Sequence, residues 1–246
     1  MGKVELAVLD MAGTTVRDQG EVEACFLDAA EQSGVEASRD RIVAMMGWSK
    51  RRVFEALLTA QLGADAVDLT ARIDAAYAEF RRILEHHYAT APVVPADGCL
   101  ECFDWLRSRG IAIALTTGFY RKVTDLILRR LGWDQGLDER RVGTRDSLIQ
   151  VSVTSDEVAH GRPAPDMIRR AMELTGVADP SRVVNVGDTP SDLQAGVAAE
   201  CGLTLGVTKG THTAEQLAEH PNDGLIGSLH ELPERIRAII AKASGD

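Results

Sequence analysis

Val4-Glu-Leu-Ala-Val-Leu-Asp-Met-Ala-Gly-Thr-Thr15 decides how this chain is read. Leu6 to Leu9 is an apolar run of strand length, and it ends abruptly at Asp10. Gly13, Thr14 and Thr15 follow in a stretch that cannot comfortably continue the strand. A carboxylate at the carboxyl end of a buried parallel strand is where open α/β sheets place their chemistry. A lone aspartate there could equally cap a turn or the next helix. Three further polar strand ends, in a fixed order downstream, favour the first reading.

Outward from that stretch the strand/helix alternation is interrupted. Residues 21–90 hold almost no β-like run; Glu21 to Gln32, Arg39 to Met46, Arg51 to Leu62 and Ala64 to His87 carry helical apolar spacing. Ser38 and Ser49 stand where N-caps are expected. Ala91-Pro-Val-Val-Pro-Ala-Asp-Gly98 is a return linker, because two prolines exclude a helix. Strands at Ile111 to Leu115, Gln150 to Val153, Arg182 to Val186 and Leu203 to Val207 then alternate with helices. Gly224 to Ile226 is an edge-strand candidate, and Leu229 to Lys242 a closing helix. The alternation predicts an α/β fold: a Rossmann-like, doubly wound parallel sheet with an inserted all-helical cap. The expected division is a core of residues 1–17 and 93–246 and a cap of residues 18–92.

Apolar residues make up 45% of the 246, enough for a well-buried core, and the formal net charge is −10. That charge disfavours nucleic acid or an anionic membrane as partner but leaves room for a small anion at a local site. No apolar run approaches the roughly 20 residues of a membrane span. The first strand begins at once, leaving no room for a signal peptide, so a cytoplasmic protein is expected. Cys99 and Cys102 form a C-x-x-C pair, but it lies in the first turns of an amphipathic helix without a second ligand pair. Reduced, partly buried thiols are expected rather than a metal or disulfide.

The strand ends supply the chemistry. Asp188 and Asp192 lie in Val186-Gly-Asp-Thr-Pro-Ser-Asp192, where Gly187 allows a sharp turn. With Asp10 they would form a hard oxygen cluster suited to Mg²⁺. Asp192 alone reads equally as a helix N-terminal carboxylate, a metal ligand through water, or a group that orients the ligands. Thr117 and Gly118 offer a hydroxyl and a backbone N–H at a strand-to-helix turn, a seat for phosphate. Arg162, fixed between Gly161 and Pro163, has a fork that can take phosphoryl oxygens and steady Asp10.

Taken in order, Asp10-Met-Ala-Gly-Thr-Thr15, Thr117-Gly118, Gly161-Arg-Pro163 and Gly187-Asp-Thr-Pro-Ser-Asp192 resemble the haloacid dehalogenase superfamily over essentially the whole chain. The resemblance implies Mg²⁺, held by Asp10, the Ala12 backbone carbonyl, Asp188 and Asp192. It also implies an aspartyl-phosphate at Asp10 and a cap that closes over the site, with Gly13, Thr14, Gly47 and Gly118 against the substrate.

Superfamily phosphatases usually carry an acid two residues after the nucleophile, and this chain has Ala12. Loss of a positioned acid costs about 10²–10⁴ in rate. The phosphonatase branch, which hydrolyses the carbon–phosphorus bond of phosphonoacetaldehyde, shows the same departure. There a cap lysine forms a Schiff base whose iminium accepts the departing electrons. Met46-Gly-Trp-Ser-Lys50 resembles that branch's Met-Gly-x-x-Lys, making Lys50 the candidate; its position at a helix start beside Arg51 and Arg52 is expected to lower its pKa. The plain alternative is three consecutive surface cations on a solvated helix. Where phosphonatase has a cap histidine this chain has Val53, where it has tyrosine after Thr-Gly this chain has Phe119, and Met11 replaces tryptophan.

The leading expectation is a Mg²⁺-dependent hydrolase of a small phosphonate carbonyl compound. A phosphate monoesterase of phosphoglycolate-phosphatase type is the alternative within the fold; a non-catalytic sensor or binding protein is the alternative outside it. The resemblance also implies a homodimer paired through the cap.

Overall fold

The computed structural model describes residues 3–244. Six parallel strands form one sheet: β1 (Leu6–Asp10), β2 (Ala112–Thr117), β3 (Val151–Thr154), β4 (Val183–Gly187), β5 (Leu203–Val207) and β6 (Gly224–Ile226), in the order β3-β2-β1-β4-β5-β6. The order reverses beside β1, so β1 lies at the switch point with β2 on one side and β4 on the other. All five residues of β1 are buried. Period-two alternation sends Ala7 and Leu9 into the apolar cluster on one face of the sheet and Leu6 and Val8 into that on the other. The edge strand expected at Gly224 to Ile226 is β6.

Four helices fill the interval after β1: α1 (Glu21–Gln32), α2 (Arg39–Ala44), α3 (Lys50–Leu62) and α4 (Leu69–Thr90). Asp18 Oδ1 accepts N–H bonds from Gly20, Glu21 and Val22 and so starts α1. Buried Val22, Cys25, Phe26, Ala29 and Ala30 give α1 one apolar face. That face meets α3 and α4 around Phe26, Phe54 and Phe80, the Phe26 and Phe80 rings stacking at 4.2 Å. The segments leaving and re-entering the core pair with each other, Arg17 N–H donating to Val94 C=O and Ala96 N–H to Thr15 C=O.

Some expected boundaries move. α4 begins at Leu69 rather than Ala64 and runs on to Thr90, because the Gly63 turn separates it from α3. Ser38 Oγ caps α2, but the Ser49 side chain makes no capping bond to α3.

The core continues with α5 (Cys99–Ser108), α6 (Arg121–Leu131), α7 (Asp166–Thr175), α8 (Pro190–Ala198), α9 (Ala214–Ala218) and α10 (Leu232–Ser244). The expected closing helix thus splits, its first residues forming a 3-10 turn at Leu229–Glu231. Cys99 and Cys102 are buried, free thiols; burial pushes Cys102 up to about 12 and Cys99 further still. Among the described residues, no helix is long and apolar enough to cross a membrane.

Candidate active site

The carboxyl ends of β1, β2 and β4 converge on one rim. Asp10 closes β1, Thr116 and Thr117 close β2, and Asp188 follows Gly187 at the end of β4. Carboxylate oxygens of Asp10, Asp188 and Asp192 all lie within 4.8 Å of one another, and all three residues are buried.

Arg162 is the counter-charge. Its Nη1 donates to Asp10 Oδ1 and lies 2.7 Å from Asp192 Oδ1, while Nη2 donates to Thr116 Oγ1 at 2.6 Å. The contact to Asp192 is an ion pair out of hydrogen-bond alignment, since Asp192 Oδ1 has no hydrogen-bond partner among the described residues. Both ends of the fork are committed and Arg162 is only 3% exposed. Of the two uses read for Arg162, steadying Asp10 and taking phosphoryl oxygens, its contacts in this structure are those of the first.

Asp192 also belongs to the scaffold of α8. Its Oδ2 accepts from Thr189 N–H and from Thr189 Oγ1–H at 2.5 Å, completing a capping box. Of its open readings, the helix N-terminal and orienting ones describe the Oδ2 contacts, while its Oδ1, paired only with Arg162, leaves the ligand reading open.

Asp188 is held by backbone. Thr211 N–H donates to its Oδ2 at 2.6 Å and Thr14 Oγ1 to its Oδ1 at 3.4 Å. A Cβ on Gly13 or Gly210 would collide with the Asp188 carboxyl. Gly13 and Thr14, expected against substrate, lie against the Asp188 carboxyl. Thr211 and Gly210 were missed by sequence reasoning; the only signal was the Lys209-Gly-Thr-His212 turn after β5.

Burial comes first among the causes that raise the Asp10 pKa from 3.8 to about 7; the neighbouring Asp192 charge adds to it and Arg162 opposes it. Asp188 is raised well above the ordinary carboxylate range by burial and by the charges of Asp10 and Asp192. Like charges this close call for a cation, and a cluster of carboxylate oxygens suits a hard one.

The helical block closes the rim. Lys50, the first residue of α3, is 5% exposed, which excludes the surface-cation alternative. Its Nζ lies 5.0 Å from the Phe119 ring centroid and 5.4 Å from that of Phe26. Its pKa falls to about 8 because burial penalises the charged form, against the opposing charges of Asp10 and Asp18. The expected cause, a helix start beside Arg51 and Arg52, is thus corrected. Arg51 pairs with Asp74 at 2.8 Å and Arg52 stacks on Trp48. Asp18, pushed to about 6 mainly by burial, is a further residue that sequence reasoning missed.

Lys50, Asp10, Ala12, Asp188, Thr117, Gly118, Gly47 and Phe119 line one small cavity of about 20 Å³. Thr117 Oγ1 accepts the Phe119 N–H at 3.1 Å, leaving its own proton free to donate. Residues 46–49 seal the cavity. Ser191 Oγ lies 3.3 Å from the Met46 carbonyl, and a Cβ on Gly118 would sit 2.5 Å from the Trp48 carbonyl and 2.7 Å from that of Gly47. A cleft of about 610 Å³, lined by Trp48, Ser191, Thr211 and His212 among others, opens beside it.

Residues 4–200 match the haloacid dehalogenase-like hydrolase family. The chain belongs to the haloacid dehalogenase-like hydrolases. It is 33% identical to a phosphonoacetaldehyde hydrolase of Bacillus cereus over 226 residues, covering 85% of this chain and 77% of that one. A phosphonoacetaldehyde hydrolase of Bacteroides fragilis is 28% identical over 249 residues, covering 97% and 90%. A crystal structure of a phosphonoacetaldehyde hydrolase-like protein from Oleispira antarctica superposes with a TM-score of 0.79 at 21% identity, covering 100% of this chain and 96% of that one. Membership of the haloacid dehalogenase-like hydrolases makes the protein an enzyme and sets aside the non-catalytic alternative.

Proposed function

We propose that this hydrolase cleaves the carbon–phosphorus bond of a small phosphonate aldehyde, phosphonoacetaldehyde or a close analogue, with Asp10 as nucleophile and Lys50 as Schiff-base lysine. The observation that carries this reading is a buried amine lining the same small cavity as the Asp10 carboxylate. Among the described residues no carboxylate pairs with that amine, and burial biases it towards the neutral form that imine formation requires. The relatives named phosphonoacetaldehyde hydrolase support the substrate class.

Asp10 and Asp188, with the Ala12 carbonyl and Asp192 beside them, are the groups that would hold Mg²⁺. Bound there, Mg²⁺ would offset the charge of these carboxylates and of the phosphoryl oxygens. The remaining work falls to the chain. Lys50 Nζ attacks the aldehyde carbon and water leaves, giving an iminium. Arg162 holds Asp10 so that its free oxygen attacks phosphorus, and Thr117 donates to a phosphoryl oxygen. The phosphorus–carbon bond breaks and its electron pair flows into the iminium, leaving an enamine on Lys50 and a phosphoryl group on Asp10. No alcohol departs, so this step needs no acid at position 12. Water hydrolyses the aspartyl-phosphate; the enamine takes a proton on carbon and a second water frees the aldehyde. The net reaction consumes one water. Val53, in the place of the phosphonatase histidine, is 1% exposed and packed in the apolar core, so proton transfer at the imine passes through water or the substrate itself.

Borohydride added during turnover of phosphonoacetaldehyde should reduce the imine and leave a mass adduct at Lys50, and Lys50→Arg should lose both adduct and turnover. An unmodified Lys50, with turnover intact in Lys50→Arg, overturns the imine step.

A further inference from the structure

The opposite edge of the sheet carries a second cavity, of about 460 Å³. Its wall includes Ala112, the first residue of β2, and Gln150, just before β3. It therefore opens at the amino ends of the strands, roughly 16 Å along β2 from the acidic cluster. Lys3, Arg107, Arg109 and Arg145 line it together with Ile111, Ala112, Val142 and Leu174, and no carboxylate residue does. Four cations on one cavity stand out in a chain of net charge −10.

These cations are poorly matched within the protein. Among the described residues Lys3, Arg109 and Arg145 form no ion pair, and Arg107 has only Asp104, at 3.9 Å. Arg107 Nη2 donates to the Asp146 carbonyl at 3.2 Å, while its Nε is buried with no hydrogen-bond partner. The carbonyl end of α5 favours nearby cations and accounts in part for Arg107 and Arg109. It does not account for Lys3, which precedes β1, or for Arg145, which comes from the loop before β3. Arg109 is held in place by stacking on Trp105, its guanidinium carbon 4.2 Å from the ring centroid.

We infer that this cavity binds a multiply charged phosphorylated small molecule, at a site separate from the acidic cluster. Guanidinium forks match phosphate oxygens two at a time. The apolar floor of Ile111, Ala112, Val142 and Leu174 suits an organic body, and the volume is that of a small-ligand pocket. A chain this acidic repels polyanions over most of its surface, so binding here relies on local convergence of charge.

The test is calorimetric titration of the full chain with ATP as probe, in magnesium-free buffer at low salt, repeated with Arg109→Glu/Arg145→Glu. The expected result is binding at about millimolar Kd or tighter, weakened about tenfold or more in the double variant and by added salt. Arg145→Gln should give a smaller loss in the same direction and keep the unliganded melting temperature, since Arg145 is exposed and without ion pairs, while the double variant should stay folded, its melting temperature lowered only by the lost Arg109–Trp105 stack. Pyrophosphate should compete with ATP. Absence of binding, equal affinity in the double variant, or equal binding of uncharged adenosine overturns the inference.

Discussion

Lys50 Nζ stands 5.0 Å from the centroid of the Phe119 ring. Phe26 covers a second side, and among the described residues no carboxylate comes within ion-pair distance. The folded-state pKa of about 8 lies below the ordinary 10.5, so the unfolded chain holds this proton more tightly. The resulting penalty is full below about pH 8 and fades as pH rises from 8 towards 10.5. Lys50→Met should therefore stabilise the fold at pH 7 by about 1–3 kcal/mol, the cation–π contacts offsetting part of the gain. A rise in melting temperature, with turnover lost, is the expected result; a fall would mean that the amine is not under strain.

Asp10 and Asp188 titrate in the opposite sense. Their folded-state pKa values lie above the unfolded value of 3.8, Asp10 at about 7, so the folded chain binds more protons in that interval. Stability of the metal-free protein should fall as pH rises from about 4 to 7. Mg²⁺ should raise the melting temperature, and more at pH 8 than at pH 5, because it competes with protons for the same oxygens. A midpoint indifferent to Mg²⁺ at pH 8 would count against a cation site at these carboxylates.

Gly118 separates the sheet from the loop that seals the cavity. A methyl group there would meet the Trp48 and Gly47 carbonyls, which are backbone and cannot rotate away. Gly118→Ala should leave the core folded but hold residues 46–49 off the rim, lowering kcat/KM by about 10- to 100-fold. Wild-type kinetics in this variant would show that the contact is not needed during turnover.

Ala12 decides which leaving group the site tolerates. With no acid in that place, alkyl phosphates such as phosphoglycolate should be turned over near background. Ala12→Asp should raise their turnover by about 10²-fold or more, because Ala12 already lines the cavity beside Asp10. Efficient hydrolysis of such esters by the unaltered chain would favour a monoesterase instead.

The sheet was legible because its strands are short apolar runs ending in glycine or a polar group. β5 and β6 fall where the pattern puts them, and so does α6, closed by Gly132 in the left-handed conformation. The interruption after β1 was equally readable from the missing β-like runs. What the one-dimensional pattern does not carry is the orientation of side chains at the rim. Arg162 and Thr14 are polar residues in the right loops, yet one backs Asp10 and the other faces Asp188. Thr211 contributes a main-chain N–H, which no side-chain pattern records. The burial of Lys50 was hidden for a related reason: its neighbours Arg51 and Arg52 are charged, and only the packing of Phe26 and Phe119 across the chain desolvates it.

Twenty cubic ångströms holds about one water molecule, whereas any phosphonate aldehyde has several heavy atoms. On the proposed reading, residues 46–49 must move away from Ser191 and Gly118 twice per turnover, once to admit the phosphonate aldehyde and once to release the products. The apparent affinity for any reactant is its intrinsic affinity diluted by the fraction of molecules standing ajar. A solvent-viscosity effect on the saturated rate would reveal whether that traffic, rather than bond cleavage, sets the pace.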